Sequence, residues 1–291
     1  MRPLGRTGLS VSPVGLGAGA LGDPALGEAE AEALLLGALD AGVALIDTAP
    51  SYGLSEERIG RILGARRRDV VLSTKGGYGV PGVEDWTGAV IEAGVEQALR
   101  RLRTDVLDVF HLHSCPLEVL RREEILRALE RVVASGRVRA AAYSGEGEAL
   151  RFAVSSGRFA VVQTSVNLCD QRGLDTLVPD AAERGLGVLA KRPLANAVWR
   201  DQDVRDDVAA RIYAARLRTM ALDPAPYAWD ELAIRFAAHA PGVTAVLVGT
   251  RSLVRLQRAV ALVDRGPLPS ERVEQLRARF RACDDGWVGQ V

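Results

Sequence analysis

Eight short β-rich runs recur along the chain, separated by stretches with apolar residues at helical spacing. This alternation constrains the fold more than any single residue does. The runs are Val14 to Ala18, Ala44 to Thr48, Val70 to Lys75, Val106 to His113, Val138 to Ser144, Val161 to Asn167, Gly187 to Arg192 and Val243 to Gly249. They are nearly continuous apolar segments, the pattern of strands buried on both faces in a parallel sheet covered by helices. The intervening stretches include Ala29-Ala33-Leu34-Leu36-Ala38-Leu39 and Val90-Ile91-Val95-Ala98-Leu99-Leu102. Eight such units predict an α/β fold, a (β/α)8 TIM barrel closed on itself rather than an open doubly wound sheet.

Barrels of this length are routinely one domain, so residues 1–291 are read as a single domain. Leu4 to Ser12 predicts an N-terminal β-hairpin around Thr7-Gly8, ahead of the first barrel strand. Ser252 to Leu262 and Ser270 to Ala282 predict extra C-terminal helices, split by Gly266-Pro267-Leu268-Pro269 and followed by a tail ending Trp287-Val288-Gly289-Gln290-Val291. The seventh connection, Ala195 to Pro226, is long and holds Trp199, a charge-rich helix around Val204 to Leu217 and the Pro224-Ala225-Pro226 break. Long loops of this kind are often lids or binding loops.

Composition narrows the function classes. Basic and acidic side chains balance at 37 each, so no net field favours nucleic acid or an anionic membrane as partner. Cys115, Cys169 and Cys283 are odd in number and far apart, which predicts neither a disulfide framework nor a metal site. The N-terminus has no apolar signal-like core and no run reaches membrane-spanning length, so a cytoplasmic location is expected.

Only two of the 37 basic residues are lysines, Lys75 and Lys191, and Lys75 ends the third strand run. An ammonium is a compact charge able to perturb a neighbouring acid, which a guanidinium does less well. Strand two ends in Asp47 and runs on into Tyr52, and strand four ends in His113, so four polar groups converge on the rim where a barrel builds its active site. Asp47 can pair with Lys75, whose ammonium would favour the Tyr52 phenolate and make that tyrosine a usable general acid, while His113 holds a carbonyl oxygen. Each also has a structural role open to it: helix cap for Asp47, wall aromatic for Tyr52, ion-pair partner for Lys75, buried ring for His113. His111, two residues before His113, points to the same side nearer the barrel middle and is assigned to the core. His239 is assigned to the helix before strand eight.

The chain resembles the aldo-keto reductase family in Leu4-Gly5-Arg6-Thr7-Gly8-Leu9, in Asp47-Thr48-Ala49 with Tyr52-Gly53 and Ser55-Glu56, and in Ser73-Thr74-Lys75. Asp108 to His113 and Gly249-Thr250-Arg251-Ser252 complete the likeness. The resemblance implies a catalytic set of Asp47, Tyr52, Lys75 and His113, and NADPH, with NADH as the other option, bound extended without a Rossmann domain. It further implies that Ser144, Gln163 and Asn167 contact the nicotinamide carboxamide, that Arg192, Pro193 and Leu194 pass along the pyrophosphate, and that Gly249, Thr250, Arg251 and Arg255 hold the 2′-phosphate. Arg258 and Ala259 stand where the family commonly carries a glutamate-asparagine pair for adenine. An exposed helix face is the alternative role for Arg255 and Arg258. Gly17-Ala18-Gly19-Ala20-Leu21-Gly22 matches GxGxxG, but the following Asp23-Pro24 interrupts the helix such a fingerprint needs, leaving Rossmann binding a minor alternative.

Ala20, Leu21, Tyr78, Trp86, Cys115 and Trp199, with Trp287 as a further candidate, are expected to line a partly apolar pocket for a small carbonyl compound. The expected activity is NAD(P)H-dependent reduction of aldehydes or ketones to alcohols, with Tyr52 as proton donor. The alternatives are an NAD-dependent sugar or polyol dehydrogenase and a non-catalytic nucleotide-binding regulatory subunit.

Overall fold

The computed structural model describes residues 1–200 and 207–290. A short antiparallel hairpin of β1 (Arg2–Pro3) and β2 (Ser10–Val11) comes first. Eight parallel strands follow: β3 (Val14–Gly17), β4 (Leu45–Asp47), β5 (Val71–Gly76), β6 (Leu107–His113), β7 (Val138–Ser144), β8 (Val161–Ser165), β9 (Gly187–Lys191) and β10 (Ala245–Gly249). They close in chain order, with β10 pairing to both β9 and β3. The predicted barrel, hairpin and C-terminal helices are all present, with boundaries within about two residues of those read from the apolar runs.

The helices are α1 (Glu28–Asp40), α2 (Ser55–Leu63), α3 (Gly88–Leu102), α4 (Leu117–Leu120), α5 (Glu123–Ala134), α6 (Gly147–Ser155), α7 (Leu177–Glu183), α8 (Val208–Met220), α9 (Trp229–Ala238), α10 (Leu253–Val263) and α11 (Ser270–Cys283). The charge-rich helix of the seventh connection is α8; its expected start, Val204, and the tail's last residue, Val291, lie outside the described residues. Among the described residues no helix is long and apolar enough to cross a membrane.

The two-residue period of a strand divides each run between two cores. Leu16, Ile46, Leu72, Phe110 and Leu112 face outward onto the helices. Leu45, Val71, Val109, Ala140, Ala142, Val161, Leu189, Ala245 and Leu247 fill the interior, and Leu4 and Val11 of the hairpin segment close its N-terminal end. Space inside is tight: a Cβ on Gly15 would lie 2.9 Å from the Leu45 and Leu247 side chains. Continuing the inward alternation toward the strand C-termini replaces these apolar residues with Asp47, Ser73, Lys75, His111, His113, Ser144, Gln163 and Lys191. The same register that fills the core therefore delivers polar groups to one end.

Candidate active site

At the centre of that end, Lys75 Nζ donates to Asp47 Oδ2 at 2.6 Å and to the Thr48 carbonyl at 2.9 Å. Both side chains are almost wholly buried, at 1% and 5% exposure. Burial pushes the Asp47 carboxyl up, but Lys75, His111 and Ser73 outweigh it and hold the group below its ordinary range. For Lys75, burial pulls the ammonium down, while Asp47 and then the Tyr52 oxygen hold it above the usual lysine value. Tyr52 lies over the ammonium, its ring centre 4.9 Å from Nζ.

Backbone packing places Tyr52. Leu54 N–H donates to the Gly22 carbonyl, and a Cβ on Gly22 would sit 1.5 Å from the Tyr52 carbonyl oxygen, so only glycine allows this approach. The GxGxxG match is thereby explained: Ala18–Gly22 is a 3-10 turn packed on the tyrosine loop, and α1 starts only at Glu28. Arg58 holds the same loop from below, donating to the carbonyls of Leu21, Asp23 and Leu26. Ser55 and Glu56 are also structural. Ser55 donates to the Ala18 carbonyl, and Glu56 accepts from Thr74 and Arg101, tying α2 to the strand ends.

Two histidines flank the pair. His111 is fully buried as expected, yet it belongs to the polar network: Ser73 donates to Asp47 Oδ1 at 2.7 Å and stands 3.0 Å from His111 Nε2. Because the Ser73 proton goes to Asp47, the His111 contact requires Nε2–H as donor. His113 lies on the cavity wall, edge-on to Tyr52 with ring centres 6.3 Å apart. Burial lowers the His111 pKa to about 4; burial, with Lys75 adding, lowers that of His113 to about 3. Both rings are therefore neutral where an unfolded histidine, with a pKa of about 6.5, takes up a proton. The unfolded state then binds more protons, so the contribution of these rings to stability is full above about pH 6.5 and falls as the solution is acidified. Denaturant unfolding should show stability dropping by as much as about 1.4 kcal/mol per pH unit per histidine below that pH. His111→Asn should flatten the slope, and an unchanged slope would contradict neutral burial of this ring.

The strand ends open into a cavity of about 820 Å³ lined by Asp47, Tyr52, His113, Ser144, Gln163 and Lys191, then by Arg192, Pro193 and Leu194, and at its far end by Gly249, Thr250, Arg251, Ser252 and Arg255. A side hollow of about 310 Å³ adjoins it between α9 and α10, sharing Leu194, Thr250 and Arg255 and adding Trp199, Asp230 and Arg258. Such volumes suit small-molecule and cofactor binding. The sequence profile described as "Aldo/keto reductase family" matches residues 13–279, which span the barrel and the whole of this cavity.

The chain belongs to the aldo/keto reductase family.

Among its relatives, the 6-dehydroglucose reductase of Novosphingobium aromaticivorans is 34% identical over 150 residues, 48% of this chain and 49% of that protein. The chain thus spans about half the length of that relative. The L-galactose dehydrogenase of Arabidopsis thaliana is 27% identical, with 90% of this chain and 88% of that protein covered. A solved aldo-keto reductase of Bacillus halodurans in its holo form superposes with a TM-score of 0.81 at 26% identity, covering 96% of this chain and 95% of that one.

Within this family site, Ser144 donates to Gln163 Oε1 at 2.8 Å, leaving the buried Gln163 Nε2 without a protein partner. Asn167 is fully buried and not on the cavity wall, its Oδ1 accepting from Cys169 N–H, and its Nδ2 has no partner among the described residues. Lys191 ion-pairs with Glu146 at 3.3 Å, and burial lowers its pKa despite that partner. Arg192 donates to the Gln290 carbonyl at 2.6 Å, as does Ser165 at 3.0 Å, so the extended segment at Gln290 docks onto the ends of β8 and β9. Arg251 is ion-paired with Asp23, and Arg258 with Asp230 at 2.5 Å, whereas Arg255 is exposed on the cavity rim.

The expected substrate wall needs correction. Leu21 is fully buried in the helix-facing core, because the 3-10 turn rotates it under the loop. Cys115 is 1% exposed and packs in the same core, where burial pushes its thiol up to about 12. Trp199 stacks on Trp229, ring centres 5.7 Å apart, lining the side hollow instead of the cavity beside Tyr52 and His113. Trp287 packs edge-on against Phe280 and under the Arg216 guanidinium, away from the cavity wall. Ala20 is partly exposed on the first loop beside Gly19, and Tyr78 stacks on His113 with Trp86 tilted against Tyr78. Glu146 and the docking of Gln290 had no sequence signal, since each acts through a partner distant in the chain.

Proposed function

We propose that this chain is an NADPH-dependent carbonyl reductase whose proton donor is Tyr52. The observation that carries the reading is the buried Asp47–Lys75 pair placed under Tyr52, with neutral His113 beside it on the cavity wall. A bound reduced nicotinamide supplies the hydride. The protein does the rest: His113 orients the carbonyl oxygen, Tyr52 gives it a proton, and the Lys75 ammonium stabilises the phenolate left behind. Asp47, anchored by Ser73, keeps that ammonium in place.

The residues present fit the cofactor. Gln163 Nε2, on the cavity wall, is a buried donor with no partner among the described residues, as a carboxamide oxygen would require. Ser252 caps α10 through the Arg255 N–H, and the exposed Arg255 offers a guanidinium for a 2′-phosphate. Charge-assisted contacts of this kind are worth about 1.5–3 kcal/mol. Arg255→Ala should therefore weaken NADPH binding by about tenfold or more while leaving NADH binding nearly unchanged. Equal losses for both cofactors would refute the phosphate assignment.

The decisive test is fluorescence titration of the purified protein with NADPH and NADH, followed by 4-nitrobenzaldehyde and absorbance of the reduced cofactor. Tight NADPH binding with turnover supports the reading. Binding without turnover of this or other aldehydes would favour a non-catalytic nucleotide-binding role, and binding of neither cofactor would refute both. A carbohydrate substrate is a second reading, favoured by the two relatives whose names are a 6-dehydroglucose reductase and an L-galactose dehydrogenase. On that reading the same groups run in reverse on a sugar hemiacetal.

A further inference from the structure

His113 makes one contact that the reaction scheme above does not use. Its Nδ1 lies 2.6 Å from Tyr78 Oη, and that hydroxyl lies 3.1 Å from Ser51 Oγ. The two rings also stack, 5.7 Å between centres at 30°, and Trp86 packs against Tyr78 with its ring tilted at 57°. Tyr78 follows Lys75 by three residues on the loop leaving β5, where Trp86 N–H donates to the Gly77 carbonyl and brings the indole back against it. A neutral imidazole carries one N–H, and the partner of one nitrogen decides which.

We propose that Tyr78 is a positioning residue that donates its hydroxyl proton to His113 Nδ1 and so holds the ring in the Nε2–H tautomer, with the donor turned to the cavity. This deepens the carbonyl-reductase reading and rests on it for its catalytic meaning. A separation of 2.6 Å is shorter than the span of about 2.7–3.2 Å of N–H···O bonds, which disfavours Nδ1–H as the donor. Tyr78 has a single proton, so when it goes to His113 the Ser51 hydroxyl donates in turn to Tyr78. The opposite arrangement, with Nδ1–H donating to Tyr78, would leave a lone pair on Nε2 and set it against a carbonyl oxygen. Only the first arrangement gives His113 a proton to offer.

The experiment is long-range nitrogen–proton NMR on protein labelled with ¹⁵N-histidine. The chain has three histidines, and a His113→Asn sample identifies the signal. Wild-type protein should show His113 protonated on Nε2 and bare on Nδ1. Tyr78→Phe keeps the ring stack and removes only the hydroxyl; it should shift part of the His113 population to Nδ1–H and lower kcat for aldehyde reduction about tenfold. Cofactor affinity should be unchanged. A wild-type proton on Nδ1, or an unchanged tautomer in Tyr78→Phe, would overturn the assignment. The spectrum needs neither cofactor nor substrate. A tautomer shift in a protein that turns over no carbonyl would leave Tyr78's role standing and refute the reductase reading instead.

Discussion

Tyr52→Phe is expected to lower kcat for aldehyde reduction by about 10²–10⁴-fold, the usual contribution of a positioned general acid. It should leave NADPH affinity within a few fold of wild type. The substitution removes one oxygen from a half-buried ring whose placement depends on the Gly22 contact to its backbone, not on its hydroxyl. The fold and the proposed cofactor-binding groups along β8, β9 and α10 should therefore be untouched. Rapid-mixing measurement of reduced-cofactor absorbance separates the two quantities, and a variant retaining most of its turnover would remove Tyr52 from the role of proton donor.

Lys75→Met should cost both activity and about 3–5 kcal/mol of stability, because it strands the buried Asp47 carboxylate with only the neighbouring Ser73 and His111. Adding Asp47→Asn should restore more than half of that stability without restoring turnover, since the unpaired charge is gone but nothing stabilises the phenolate. The pH dependence has two edges. Asp47 is held below its ordinary carboxyl range, so its contribution is full above about pH 4 and is lost in stronger acid. Lys75 is held above its ordinary value, so its contribution is full below about pH 10 and is lost as the pH rises through the folded value. Chemical denaturation across that window should show the wild-type advantage over the double variant narrowing at both ends. An advantage that persisted at either extreme would mean that the pair is not ionised as described.

The fold and the central pair were legible in the sequence for a common reason. Strand β9, Gly187–Lys191, lies within one residue of the expected Gly187 to Arg192, because a strand buried on both faces is an apolar run whatever it pairs with. Asp47, Lys75 and His113 stand on the inward-facing period of their own strands, so local pattern places each at the barrel mouth. The wall residues failed for the opposite reason. Leu21 and Cys115 sit in loops, where no period fixes the side-chain direction, and the turn geometry sent both into the core.

The sequence by itself determined the eight βα units, the inward column of polar strand ends and the family resemblance that points to a candidate catalytic set. Only the tertiary structure decided how those groups are connected: Ser73 to Asp47, Tyr78 to His113, Arg251 to Asp23, and Gln290 over Arg192. Alternation along a strand is a short-range property written into neighbouring residues. A hydrogen bond between residues tens or hundreds of positions apart exists only once the barrel has closed, and it follows from the register and loop paths that closure imposes.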